Sequence, residues 1–201
     1  EVLEKADMTV KVTGIQWKWQ YDYPEEGISF VSNLAQSSRD AISASPEERE
    51  AIDKNEDTYL LSVDNRVVLP VDTTIRFLIT SNDVIHNWWV PDFGVKQDAN
   101  PGFINDAWAR PTEIGTYRGQ CAELCGKDHG FMPIVVDVVS KADYAAWVES
   151  KQAEKIAEAA SATQEWTEAE LLARGEEVYN ANCSGCHQKD GSGIPGVFPA
   201  M

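Results

Sequence analysis

The chain has 201 residues, 43% of them hydrophobic and 25% charged, which is enough apolar material for a sizeable core and enough length for one full domain plus a smaller one. Its formal net charge of −16 excludes nucleic acid as a partner, because phosphate binding needs clustered Lys and Arg. No apolar run approaches the roughly 20 residues needed to cross a bilayer, and Glu1 opens directly in polar sequence, so the chain reads as a processed portion of a longer one.

In chain order, residues 8–23, "MTVKVTGIQWKWQYDY", alternate well enough to predict a strand that ends in an aromatic cluster. Residues 33–57 are polar and acidic with no strand pattern, and read as a surface insertion with one short helix after Pro46. From 58 to 140 short β-like pieces return: "TYLLSVD", "RVVLPVD", "TIRFLITS", "HNWWVPDF", "INDAWARP", "GTYRGQC" and "MPIVVDVV". They are separated by Asp, Asn, Pro and Gly, which predicts a mainly β fold, a sandwich or Greek-key barrel, over residues 1–140. Pro70 cannot donate to a ladder and belongs at a strand end or edge.

After Val139 the period changes. "SKADYAAWVESKQAEKIAEAA" opens on a Ser cap and is rich in Ala, Glu and Lys, so residues 141–166 are expected to form a helix and a linker. Thr167 and Glu170 stand in capping-box spacing, and apolar residues recur at helical intervals beyond them. Residues 167–201 are therefore expected to be a separate α-helical segment.

Two motifs carry chemistry. "CAELCGKDHGFM", 121–132, holds Cys121, Cys125, His129 and Met132. Gly126 and Gly130 disfavour a helix there, so a loop folded around an ion is the economical reading. Thiolate, thioether and imidazole together suit copper. There is one Cys too many for a mononuclear blue site, whereas two thiolates can bridge two ions that each need a histidine. With only three histidines in the chain, and His187 in the second motif, the partner is His86, at a strand end. A Cys121–Cys125 disulfide and a structural zinc held by both cysteines and both histidines stay open at this point.

"CAELCGKDHGFMPI" resembles the dinuclear copper loop of cytochrome c oxidase subunit II, the CuA domain. The likeness continues in "GIQWKWQYDYP", "VDNRVVLPVDTTIR" and "DVIHNWWVPDFGVKQDANPG", covering residues 8–150 with the motifs in family order. The resemblance implies a cupredoxin-like fold in which Cys121 and Cys125 bridge both coppers. His86 and Met132 would complete one copper, and His129 with the Glu123 backbone carbonyl the other. It further implies a magnesium site reached by the Glu123 side chain at the subunit I interface, and electron entry from cytochrome c at Trp17. The implied setting is the outer, periplasmic face of a bacterial inner membrane, with anchoring helices upstream of this chain. Oxygen chemistry would belong to subunit I. Ile15 and Phe103 depart from the family pattern, where many relatives have His and Arg. The copper domain of nitrous oxide reductase and a copper-binding or structural cupredoxin module share parts of the donor spacing, but "HGFMPI" and "QWKWQYDY" favour the oxidase.

"CSGCH", 183–187, is the c-type haem attachment pattern: Cys183 and Cys186 for thioethers, His187 for iron. The tail "GSGIPGVFPAM" resembles the start of bacterial class I cytochrome c domains. Only 14 residues follow His187, so a truncated cytochrome c segment with an incomplete or absent haem site is expected. A copper domain fused to haem c resembles subunit II of oxidases that carry their own cytochrome.

Overall fold

The computed structural model describes residues 5–53, 58–162, 166–194 and 198–201. The chain separates into two compact units, Glu1–Lys155 and Ile156–Met201.

The first unit is a sandwich of two five-stranded sheets. One holds β1 (Met8–Ile15), β2 (Lys18–Tyr23), β3 (Ile28–Ser32), β5 (Ile75–Ser81) and β8 (Asn105–Ala109), in the order β3-β2-β1-β5-β8. The other holds β4 (Val67–Pro70), β6 (His86–Val90), β7 (Val95–Ala99), β9 (Gly115–Cys121) and β10 (Pro133–Val139), in the order β4-β10-β9-β6-β7. Parallel pairs, β1 with β5 and β4 with β10, join otherwise antiparallel neighbours. This is the mainly β sandwich that the strand spacing predicts, and it agrees with the cupredoxin-like fold that the resemblance implies. Period-two alternation drives it: Met8, Val10 and Val12 turn inward from β1, and Ile75, Phe77 and Ile79 do the same from β5.

Aromatic side chains fill the space between the sheets. Trp19, Tyr21 and Tyr23 from β2 meet Trp88 from β6 and Phe77 from β5, all at most 1% exposed. Fully burying such a side chain contributes roughly 1.5–3 kcal/mol. The polar tips of Trp88, Tyr21 and Tyr23 are satisfied across the sandwich, whereas the buried Trp19 indole N–H has no hydrogen-bond partner among the described residues. The Trp88 indole N–H donates to the Tyr21 hydroxyl at 3.2 Å, and the Tyr23 hydroxyl exchanges two 3.1 Å bonds with the backbone of Val68.

Several expectations need correction. Residues 8–23 are two strands, because the chain reverses at Gln16 and Trp17 and pairs Ile15 with Lys18. "TYLLSVD" is no strand. Residues 58–61 form a turn with Leu60 at φ 60°, its N–H held by the Ser38 hydroxyl at 3.0 Å, and Val63 makes a single bridge to Leu34. The insertion carries two helices, α1 (Gln36–Ser43) and α2 (Pro46–Asp53); residues 54–57 lie outside the described residues. β3 and β7 were not expected. Pro70 does end β4, an edge strand.

α3 (Lys141–Ala162) starts where the Ser140 hydroxyl accepts the Asp143 N–H at 3.1 Å. Its first turns seat Trp147 against Tyr23, with ring centroids 5.1 Å apart, while the Tyr144 hydroxyl donates to Glu26 at 2.8 Å.

In the second unit, α4 (Glu168–Asn182) begins with the capping box formed by Thr167 and Glu170, and α5 (Ser184–His187) follows. Among the described residues no helix is long and apolar enough to cross a membrane.

Candidate metal centre

The loop 121–132 joins β9 to β10 at one end of the sandwich. Two bonds fix its first two residues: the Cys121 N–H donates to the Met132 carbonyl at 3.1 Å, and the Ala122 N–H donates to the Asn87 carbonyl at 3.1 Å. β6 pairs with β9 in the register Trp88↔Cys121. That register, not proximity in sequence, brings His86 to the loop.

Cys121 Sγ and Cys125 Sγ lie 3.8 Å apart, both buried and unbonded. His86 Nδ1 is 3.9 Å from Cys121 Sγ, and His129 Nδ1 is 3.4 Å from Cys125 Sγ. His86, Cys121 and Cys125 have their donor atoms mutually within 4.8 Å. The Glu123 carbonyl lies 3.4 Å from Cys121 Sγ, while the Glu123 side chain is exposed. Met132 is 2% exposed, its backbone paired to Cys121. The structure thus brings the donor atoms of His86, Cys121, Cys125 and His129 and the Glu123 carbonyl together, while Met132 is placed beside Cys121 through its backbone alone.

The electrostatics match a cation site. Burial opposes the charged form of Cys121, but hydrogen bonds from His86 and from the backbone of Asn87 and Glu123 outweigh it and lower the thiol's pKa. Burial and then the neighbouring Cys121 sulfur push Cys125 up. Two thiolates this close repel, so holding both deprotonated needs positive charge beside them. Soft sulfur with imidazole on either side is the donor set copper prefers, so the residues present fit a copper pair.

Residues outside the predicted set shape the site. His86 Nε2 lies 2.8 Å from Asp83 Oδ1. Burial resists ionisation of Asp83, yet N–H groups of Gln16 and Val84 and the His86 ring together hold its carboxyl below the usual range. An ionised carboxylate only accepts, so Nε2 carries a proton, and Nδ1, facing sulfur, is the nitrogen left to a metal. A carboxylate three residues before a histidine, in "NDVIH", was the sequence signal for this. Trp17 is partly buried, donates its indole N–H to the Cys125 carbonyl at 3.2 Å, and has the Lys127 ammonium 5.8 Å from its ring.

In the second unit Cys183 is a free thiol, and His187 Nδ1 is 2.8 Å from the Pro199 carbonyl. A carbonyl only accepts, which leaves Nε2 open to an iron ligand role, so the attachment sequence fits haem c. The side chain of Cys186 lies outside the described residues.

Known proteins resemble this chain in both of its units. The family described as "Cytochrome C oxidase subunit II, periplasmic domain" matches residues 8–139, and "Cytochrome c" matches residues 172–201. The chain is 47% identical over 152 residues to the probable cytochrome c oxidase subunit 2 of Rickettsia bellii, covering 75% of this chain and 52% of the relative. It is 48% identical to cytochrome c oxidase subunit 2 of Cereibacter sphaeroides, over 73% of this chain and 50% of that one. The chain thus spans about half the length of the curated relatives it matches. Among solved structures, the periplasmic domain of subunit II of cytochrome oxidase (CoxB) of Bradyrhizobium japonicum is 42% identical. It superposes with a TM-score of 0.65, over 76% of this chain and 99% of that one. A mixed disulfide between a thioredoxin-like protein and subunit II of cytochrome c oxidase is 41% identical over 76% of this chain and 96% of that one, with a TM-score of 0.60.

Proposed function

The chain belongs to the family of cytochrome c oxidase subunit II periplasmic domains, and we propose that it is the electron-receiving part of a terminal oxidase and holds a dinuclear copper centre. The observation that carries this reading is the pair of buried thiols 3.8 Å apart, each with an imidazole nitrogen within 4 Å.

Cys121 and Cys125 would bridge, His86 and Met132 would complete one metal position, and His129 with the Glu123 carbonyl the other. When bound, a copper pair supplies a one-electron relay between cytochrome c and the haem of subunit I, where oxygen is reduced to water. The protein holds its donors in place beforehand. β6 and β9 fix His86 and Cys121 by register, Asp83 orients the His86 ring, and burial of both sulfurs excludes water. Little then has to move when charge changes.

Trp17 is the entry point in this reading: its indole hydrogen bond to the Cys125 carbonyl joins it to the thiolate loop. Val84, Ile85, Phe103, Ile104 and Leu124 are exposed apolar residues near the donor-bearing end, which supports docking of subunit I there. The exposed Glu123 carboxylate would meet a magnesium ion at that interface.

The same reading makes the second unit a donor module. Cys183 and Cys186 would hold haem c with His187 on iron, and the group would supply a tethered electron source. A covalent link keeps such a donor at an effective concentration on the order of millimolar. The net charge of −16 also favours a basic soluble cytochrome. The parent protein would sit on the periplasmic side, anchored by membrane helices.

Copper titration of the reduced chain tests the proposal. Two coppers per chain, with Cys121 and Cys125 both protected from alkylation, is the expected result. Saturation at one copper, or preferential uptake of a single zinc, contradicts it.

A further inference from the structure

We infer that Gln16 is a positioning residue that ties the strand bearing His86 to the loop bearing Cys125, and so sets the relation between the two halves of the donor cage. The inference rests on the copper reading above and adds to it a residue outside the donor set.

Gln16 lies in the reversal between β1 and β2, a platform fixed by five paired positions from Ile15↔Lys18 to Lys11↔Asp22. It reaches the site by two routes. Its backbone N–H donates to Asp83 Oδ2 at 2.7 Å, while the other oxygen of that carboxylate lies 2.8 Å from His86 Nε2. Its side-chain amide donates to the Cys125 carbonyl at 2.8 Å. One residue therefore reaches both the carboxylate that orients one imidazole and the peptide that carries the second thiol.

The two ends of the loop are held differently. Cys121 continues strand β9 and is fixed by ladder bonds. Cys125 lies beyond the ladder, and its carbonyl takes the Gln16 amide and the Trp17 indole, which fills both of its acceptor positions. Gly126 makes this approach achievable. At φ +118° it adopts a conformation few other residues tolerate, and a Cβ there would fall 3.0 Å from Gln16 Nε2 and 3.1 Å from Trp17 Cζ2.

The side chain and the backbone of Gln16 can be tested apart. Gln16→Leu removes the amide that reaches Cys125 and keeps the N–H that reaches Asp83. Gln16 is an exposed residue, so the substitution leaves the core intact. The experiment measures site-resolved alkylation of Cys121 and Cys125 by iodoacetamide in the reduced, copper-free full chain, alongside the urea midpoint and the EPR spectrum after copper loading. Loss of one tether should speed Cys125 relative to Cys121 by a factor of roughly 2 to 10, the net worth of one hydrogen bond. The copper hyperfine pattern should change, with the urea midpoint lowered by no more than one such bond accounts for. An unchanged alkylation ratio and unchanged spectrum overturn the inference. So does equal acceleration of both thiols with a lowered midpoint, which would be general loosening. Failure of the parent chain to bind copper would defeat the copper reading alone, since the thiol ratio is read without metal.

Discussion

The imidazole of His86 packs against the bare α-carbon of Gly14, so close that a methyl group at that position would fall 2.7 Å from Cδ2 and 2.9 Å from Cγ. β1 thus belongs to the site without contributing a donor, because an absent side chain makes the room a buried imidazole needs. Gly14→Ala should displace the ring or part the strands. The expected cost is roughly 1–3 kcal/mol of stability, as for other overpacked core positions, together with weaker copper binding. Urea unfolding of the metal-free chain and a copper competition titration measure the two effects.

The Asp83 carboxylate fixes which nitrogen of His86 faces the sulfurs. Asp83→Asn keeps the shape and removes the charge, so copper affinity should fall about 10- to 100-fold while the fold persists. Competition with a copper chelator reads the first quantity and circular dichroism the second.

The donors should not be equivalent. Ala at Cys121 or Cys125 leaves no bridge and should abolish the dinuclear species, whereas Ala at Met132 should only perturb it, because one thioether contributes less than a shared thiolate. Copper stoichiometry with optical spectra of the three variants distinguishes these outcomes.

Trp17→Phe retains a ring but loses the indole donor to the Cys125 carbonyl. Electron transfer from reduced cytochrome c should slow by more than about tenfold, equivalent to ~1.4 kcal/mol on the barrier, with the copper stoichiometry unchanged. In the parent chain the same rate, followed by stopped flow, should fall as salt shortens the Debye length from about 30 Å at 0.01 M to about 8 Å at 0.15 M.

Particular residues explain how much of this was legible in the sequence. Alternation along "TIRFLITS" made β5 readable, which buries one face, and the nearly continuous apolar run "PIVVDVV" made β10 readable, which buries both. The same criterion misled at 58–64, where Leu60 adopts a positive φ that no periodicity signals. β7 escaped notice because "VKQDA" buries only Val95 and Ala99 at its ends and is recruited by pairing with β6. Four donors share one loop and announce themselves by chemistry. His86 could be joined to them by counting histidines, although its physical cause is the β6–β9 register. Gln16, Asp83 and Gly14 act through a hydrogen bond, a charge and an absence, and each depends on three-dimensional neighbours that spacing does not encode.

In this reading the buried thiol pair and its two flanking imidazoles hold two coppers as one electronic unit. Electron paramagnetic resonance of the copper-loaded chain tests it most directly. A purple protein is expected, its single unpaired electron split by both copper nuclei into a multi-line pattern. A blue protein with the four-line pattern of one isolated copper would contradict it.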